Sequence, residues 1–370
     1  MAAVTPGVSK SNEVIPYGRQ TITEDDVAAV VGALSGDYLT TGPTVAAFEQ
    51  AIADAVEAKH AVAFANGTAT LHGACFAGGL SKDSLVSTSS LSFAASASCA
   101  KYVGASVDFI DIDPATLNLD PKKVKATIDG LVAVHFAGLP VDLTKLAHRP
   151  QVVIEDAAHA LGASTPFGPV GNCAHSDMTS FSFHPVKPIT TGEGGIVTTN
   201  DDELADRLRK FRSHGIVRDQ SQGGWYQYVE EIGYNYRLTD IQSALGLSQL
   251  GKLEEFIAAR QDLAGRYDTL LADSAVVTAP PAPAGWRHGY HIYPVRVRER
   301  RRVYDAMHAE GILVQVHYVP IHHHPPYQDP AHDLPETDLA YEGLLSLPMF
   351  PTLTYREQDR VVETLLRVVG

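Results

Sequence analysis

The sequence predicts an α/β fold, with a large domain built on a mostly parallel β-sheet followed by a smaller α/β domain. Three observations carry this expectation. Short apolar runs at 61–64, 85–88, 106–110, 130–136 and 151–156 alternate with stretches of helical periodicity, the cadence of strands joined by crossover helices. The chain has 370 residues, more than one ordinary domain holds. A Pro- and Ala-rich stretch at 279–285 marks a shift in composition. The expected division is a flexible tail at 1–14, a large domain over 15–275 that includes a long connecting helix, and a small domain over 276–370.

With 45% hydrophobic and 19% charged residues, the chain suits a soluble globular enzyme. Its formal net charge of -14 argues against sequence-independent nucleic-acid binding, which needs a basic surface to displace counterions. An anionic small molecule would have to meet a local pocket of N–H groups or cations. Cys75, Cys99 and Cys173 are odd in number and widely spaced, which fits neither a disulfide framework nor a metal-binding pair. A reducing cytoplasm is the expected compartment. The N-terminal segment lacks the charged-then-apolar pattern of a signal peptide, and no run reaches membrane-spanning length, so no membrane partner is expected.

Taken in order, Thr23 and three acidic residues precede Val27, Val30, Val31 and Leu34 at helical spacing, so a helix is expected there, ended by Gly36. After a turn at 39–43, Val45, Phe48, Ile52 and Val56 mark a second amphipathic helix. The strand at 61–64 then runs through Asn66, Gly67 and Thr68 into an Ala- and Leu-rich helix. Such a turn leaves several backbone N–H groups and the positive helix end aimed at one point, which is an anion site. Strands follow at 85–88, 106–110 and 130–136. The apolar run ending at Asp156 reads as a buried strand, and its carboxyl end opens where such sheets bind ligands. Leu204, Leu208 and Phe211 mark a helix, and the basic stretch 207–218, with Arg212, offers charge for a nucleotide diphosphate. Thr239 opens a long helix with Ile241, Ala244, Leu245, Leu253 and Phe256 as its inward positions. Beyond the linker, 290–297 and 313–319 read as strands and 301–310 as a helix closed by Gly311. Thr354 and Glu357 form a capping box ahead of a last helix carrying Val361, Leu365 and Val368.

One lysine stands apart. Lys187 lies between Pro185 and Pro188, which restrict the backbone, and is followed by Gly192, Gly194 and Gly195, so the chain is stiff at the amine and open just beyond it. A lysine that forms a Schiff base must be held against a carbonyl and partly desolvated, so that its neutral amine is accessible. Asp156, once buried, needs a cationic partner. His317, His322, His323 and His324 invite a metal reading. Consecutive side chains on an extended segment point in alternating directions, however, and no carboxylate or cysteine spacing completes a recognised site, so no metal is expected. The Gly-x-Gly-x-x-Gly turn of a nicotinamide enzyme is absent.

The segment around Lys187, with Phe-His-Pro-Val-Lys followed by Thr-Thr-Gly-Glu-Gly-Gly, resembles the cofactor-lysine segment of the DegT/DnrJ/StrS family of pyridoxal-phosphate (PLP) sugar aminotransferases. Its form is most similar to the 4-aminotransferases of the pseudaminic acid pathway. The resemblance runs from about residue 15 to the C-terminus. It takes in Asn66, Gly67 and Thr68, Asp156 at 31 residues ahead of Lys187, and the Gly-Tyr-Asn-Tyr run at 233–236. It implies fold type I of the PLP-dependent transferases. It also implies that Lys187 bonds the cofactor and moves protons, with pyridoxamine phosphate as the intermediate form, and that Asp156 pairs with the pyridine nitrogen. Gly67, Thr68 and Ser182 would hold the phosphate, with Ser180 as the alternative hydroxyl. Phe93 would cover the ring, and His159 would sit beside it. Asn235 would reach the phosphate of a neighbouring subunit's cofactor, which makes a homodimer with shared sites. Thr41, His317 and Tyr318 would lie near the sugar. The implied reaction moves an amino group from L-glutamate to C4 of a nucleotide-linked 4-keto-6-deoxy sugar, UDP-linked and N-acetylated. A dTDP- or GDP-linked sugar is the alternative, and a non-catalytic regulator or partner of the same fold a lower one. Relatives that dehydrate rather than aminate replace the lysine with histidine, whereas Lys187 is intact. The run 322–324 departs from the family pattern and leaves the sugar contacts open.

Overall fold

The computed structural model describes residues 14–278 and 282–370. Residues 1–13 of the expected tail and 279–281 of the expected linker lie outside the described residues.

The apolar runs become a seven-stranded sheet: β1 (His60–Phe64), β2 (Leu85–Ser89), β3 (Ser106–Ile110), β4 (Gly130–Val134), β5 (Val152–Asp156), β6 (Met178–Ser182) and β7 (Gly195–Thr199). Their spatial order is β1-β7-β6-β5-β4-β2-β3. β2 to β6 pair in parallel, and β7 runs antiparallel to both β1 and β6, so β1 points the same way as the rest. The sheet is covered on both faces, which is why its strands read as continuous apolar runs. Gly67–Ala77, Ala95–Tyr102 and Asp202–Phe211 enclose one core with Phe64, Val132, Ile154 and Leu208. Pro43–Ala55 and the start of Leu253–Leu271 enclose the other with Phe48, Phe181, Ile196 and Phe256. Fully buried side chains of this size each contribute about 1.5–3 kcal/mol relative to exposure.

Parallel alignment has a direct consequence for function. The carboxyl ends of β1, β2, β4, β5 and β6 open on one edge, so the residues that follow them converge there. β3 ends instead at Asp111, whose buried carboxylate accepts the Glu336 and Thr337 N–H groups (3.1 and 2.9 Å) and caps the helix Pro335–Gly343 of the C-terminal part.

The C-terminal part is a three-stranded antiparallel sheet, Val277–Thr278, Tyr293–Arg296 and Leu344–Leu347, packed with Arg300–Ala309 and Tyr355–Val369. Its core joins Val295, Met307, Leu345, Val361 and Leu365 with Ile15 from the far end of the chain. The expected capping box is present, with Thr354 and Glu357 each bonding the other's backbone N–H.

The structure departs from three sequence expectations. The segment 313–319 is irregular rather than a strand, with a single bridge at Gln315 and another just ahead of it at Ile312, and the third strand of this sheet is Leu344–Leu347. Residues 240–271 form two helices, Asp240–Leu250 and Leu253–Leu271, broken at Gly251 and Lys252. The Lys252 ammonium folds back onto the Ser248 carbonyl (3.0 Å), occupying one of the free acceptors at the first helix's end. In Glu24–Leu34 the apolar stripe faces outward: Val27, Val31 and Leu34 are more than half exposed, and Asp26 is the residue buried. Gln249 (2.7 Å), Lys252 (2.9 Å) and the Thr23 N–H (2.8 Å) draw that carboxylate inward, and this anchorage decides which face looks in. Burial would raise its pKa, but the hydrogen bonds of Ser248, Thr23, Lys252 and Gln249 outweigh burial and hold it at about 2.

Candidate active site

The five strand ends enclose a cavity of about 650 Å³, closed on its far side by the C-terminal part through His291, His317 and Tyr318. At the end of β1, Asn66 caps the helix Gly67–Ala77 by accepting the Ala69 N–H (2.8 Å). Gly67 and Thr68 line the cavity, and among the described residues nothing bonds their N–H groups. Gly67 also needs to be glycine for packing, since a Cβ there would lie 2.8 Å from Ser182 Cβ. Ser182, the last residue of β6, therefore sits against the helix start, and together they form a cradle of donors for an anion. Ser180 is spoken for, with its hydroxyl 2.6 Å from Thr70 Oγ1 inside the core.

Asp156 ends β5, buried, in the cavity wall. Its Oδ2 accepts from Ser96 Oγ (2.7 Å) and its Oδ1 from the Ala158 N–H (3.2 Å). Because Ser96 spends its proton on Asp156, Ser92 Oγ, 2.8 Å away, must be the donor to Ser96. Among the described residues no cation forms an ion pair with Asp156, so a buried carboxylate faces the cavity with two hydrogen bonds and no direct ionic partner.

Lys187 stands across from it in the loop after β6, with its N–H on the His184 carbonyl (2.9 Å). Its surface opens to the cavity rather than to bulk water. Burial lowers its pKa to about 8, and the charge of Asp156 only partly opposes this. Three buried imidazoles surround it. His159 Nε2 lies 3.1 Å from Tyr318 Oη, while its Nδ1 has no partner. His317 is held through Nδ1 by Ser346 Oγ (2.8 Å). His291 packs its ring 4.4 Å from His159, and its Nδ1 is also without a partner. Burial, then the nearby Lys187, depresses all three pKa values, that of His317 to about 4, so they are neutral near pH 7. Phe93, more than half exposed, presents its ring at the cavity mouth, 5.9 Å from that of Tyr318.

Of the residues expected at a site, Gly67, Thr68, Phe93, Asp156, His159, Ser182, Lys187, His317 and Tyr318 border this one cavity. Arg212 does not, and the nucleotide contact read from its charge is corrected by its packing. Its guanidinium is bonded to Glu49 and to the Ala63 carbonyl (2.7 Å), fastening Pro43–Ala55 to β1. Thr41 and Asn235 are exposed and also lie outside the cavity, so within one chain neither reaches it. Ser96 and His291 escaped the sequence reading. Ser96 sits in an unremarkable Ala/Ser helix, and His291 lies in a segment read as an ordinary strand. Among the described residues, Lys187 is the single Lys or Arg lining the cavity. A cradle for an anion, a carboxylate awaiting a cation and a lysine with a lowered pKa together fit one flat ligand that carries a phosphate, a basic ring and an aldehyde.

Comparison with known proteins points the same way. A model described as the DegT/DnrJ/EryC1/StrS aminotransferase family matches residues 20–366. The chain is 33% identical over 374 residues to the UDP-4-amino-4,6-dideoxy-N-acetyl-beta-L-altrosamine transaminase of Campylobacter jejuni, across 96% of this chain and 98% of that protein. Helicobacter pylori PseC, an aminotransferase involved in the biosynthesis of pseudoaminic acid, matches with a TM-score of 0.89 at 29% identity, across 96% of this chain and 99% of that one. Spr1654 of Streptococcus pneumoniae, solved in PLP and PMP forms, matches with a TM-score of 0.89 at 26% identity, across 96% of this chain and 98% of the PLP-form chain.

Proposed function

The chain belongs to the DegT/DnrJ/EryC1/StrS aminotransferase family of PLP-dependent sugar aminotransferases, and from that premise we propose that it moves an amino group from L-glutamate to C4 of a UDP-linked, N-acetylated 4-keto-6-deoxy sugar. The observation that carries the reading is the cavity in which Lys187 faces a buried Asp156 without a direct ion pair, beside an open helix N-terminus. When bound there, PLP supplies an aldehyde for the lysine and a ring that withdraws electrons from the reacting carbon.

The chain's own residues then have defined tasks. Gly67, Thr68 and Ser182 take the phosphate, and Phe93 covers the ring. Asp156, oriented by Ser96, keeps the proton on the ring nitrogen. Lys187 Nζ takes a proton from the donor's Cα in one half-reaction and delivers one to the sugar's C4 in the other, and a pKa lowered to about 8 suits it to both directions. The neutral imidazoles of His159 and His317 add no positive charge that would hold a proton off this amine, and His317 and Tyr318 face the sugar. With no arginine lining the cavity among the described residues, the nucleotide's charge is met from outside it. A second copy of the chain supplies that contact. Asn235 and Thr41 are exposed, and the outward stripe of Val27, Val31 and Leu34 offers an apolar surface for a homodimer.

The test is a single turnover. Enzyme converted to its aminated form by glutamate is mixed with UDP-, dTDP- or GDP-linked ketosugars, and the return of visible absorbance is followed. The UDP-linked N-acetylated ketosugar is expected to be fastest. A clear preference for a dTDP or GDP sugar would move the substrate assignment while leaving the transaminase in place.

A further inference from the structure

His322 and His323, expected on an extended segment to point apart, do not. Ile321–His323 is a short helical turn closed by the His323 N–H on the Pro320 carbonyl (3.0 Å), and it sets the two rings edge to face with centroids 4.3 Å apart. Asp338, from the first turn of Pro335–Gly343, meets them there. Its Oδ1 lies 3.3 Å from His322 Nε2 and 2.8 Å from His323 Nε2, and the three atoms fall within 4.8 Å of one another. None of the three residues lines the catalytic cavity.

We infer that His322, His323 and Asp338 form a binding site for one late first-row divalent cation, zinc in the first instance. Two imidazoles and a carboxylate are a common ligand set for such ions, leaving a fourth position to water. Ligands at roughly 2.0–2.1 Å from a tetrahedral ion stand about 3.3 Å from each other; the His322 separation matches this, and the 2.8 Å hydrogen bond of His323 would have to open slightly to admit the ion. The mounts are fixed by contacts separate from the His323–Asp338 hydrogen bond (2.8 Å), which a bound ion would replace. Ser90 Oγ engages His322 from behind, at Nδ1 (2.6 Å) and at the backbone N–H (3.1 Å), which turns Nε2 toward Asp338. The Gln328 amide holds the His323 carbonyl (2.9 Å). Asp111 anchors the helix start that carries Asp338. With neutral imidazoles the three groups sum to one negative charge, which favours a dication. Ser90 belongs to the loop that continues into Ser92 and Phe93 at the cavity, so a bound ion would stiffen the join between that loop and the turn following His317 and Tyr318.

The experiment uses tag-free holoenzyme, stripped by a chelator and titrated with zinc sulfate in a calorimeter, with metal analysis after desalting. One equivalent per chain is expected to bind. His323→Gln and Asp338→Asn should each weaken binding roughly tenfold or more, because each removes one of three ligands. Circular dichroism and retained cofactor absorbance confirm that each variant is folded. Absence of saturable one-equivalent binding in the unaltered enzyme would overturn the site, as would affinity in both variants unchanged from that of the unaltered enzyme, which would place the ion elsewhere, such as on the cavity's histidines.

Discussion

At the scale of the residue, Lys187 acts as a nucleophile only in the fraction of molecules whose amine is neutral. Burial, opposed by Asp156, lowers its pKa to about 8, so that fraction falls about tenfold for each pH unit below this value. The rate at which cofactor-free enzyme captures PLP, followed by stopped-flow absorbance, should therefore rise about tenfold per unit up to roughly pH 8 and then level off. A rise that continued unchanged to pH 10 would return the lysine to its ordinary value. Asp156→Asn keeps the shape but cannot hold a ring proton. The variant should retain cofactor yet lose roughly a hundredfold or more of the half-reaction rate with glutamate, read by single-turnover absorbance; a near-normal rate would remove that role. Both residues stand out in the sequence through local settings, a lysine between prolines ahead of glycines and an aspartate closing an apolar run, but the roles expected of them rest on the family resemblance. Ser96 does not stand out, since it meets Asp156 across 60 positions. Arg212 misled for the same reason, because its charge was visible and its partner Glu49, 163 positions away, was not.

Elements were easiest to read where the sheet buries them on both faces. Short continuous apolar runs bounded by turn residues suit strands buried on both faces, and β1 to β5 stand where the runs predict. Leu344–Leu347 was hidden because four residues directly after a helix carry too short a pattern to separate from it. In Glu24–Leu34 periodicity gave the helix but not its inward face, since a single buried carboxylate outweighs four valines and leucines in fixing that face. The element whose position matters most for chemistry is Gly67–Ala77. Gly67→Ala would push a Cβ to 2.8 Å from Ser182 Cβ, and helix start and strand end would have to part. The variant should fold with unchanged far-ultraviolet circular dichroism but bind PLP roughly tenfold or more weakly in equilibrium dialysis. Unchanged affinity would separate the phosphate from this helix.

For the whole molecule, the question is where the site is completed. Asn235 is exposed in the single chain, outside its own cavity. If it completes the cavity of a second copy, inactive Lys187→Ala and inactive Asn235→Ala enzymes, mixed and allowed to exchange subunits, should regain activity, because one site of each hybrid carries neither change. No recovery after verified exchange would confine the site to one chain. That expectation rests on family resemblance alone, since no local pattern says which exposed asparagine faces a partner.

The cavity also lies between the strand ends of the large sheet on one side and His291, His317 and Tyr318 of the C-terminal part on the other. Whatever fills it touches both bodies at once and acts as a rivet between them. Ligand that binds only the folded form adds its binding free energy to the stability of that form. A cofactor bound there therefore ties the sheet edge to the C-terminal part. Cofactor-free enzyme should accordingly be cleaved faster by an added protease than the loaded form.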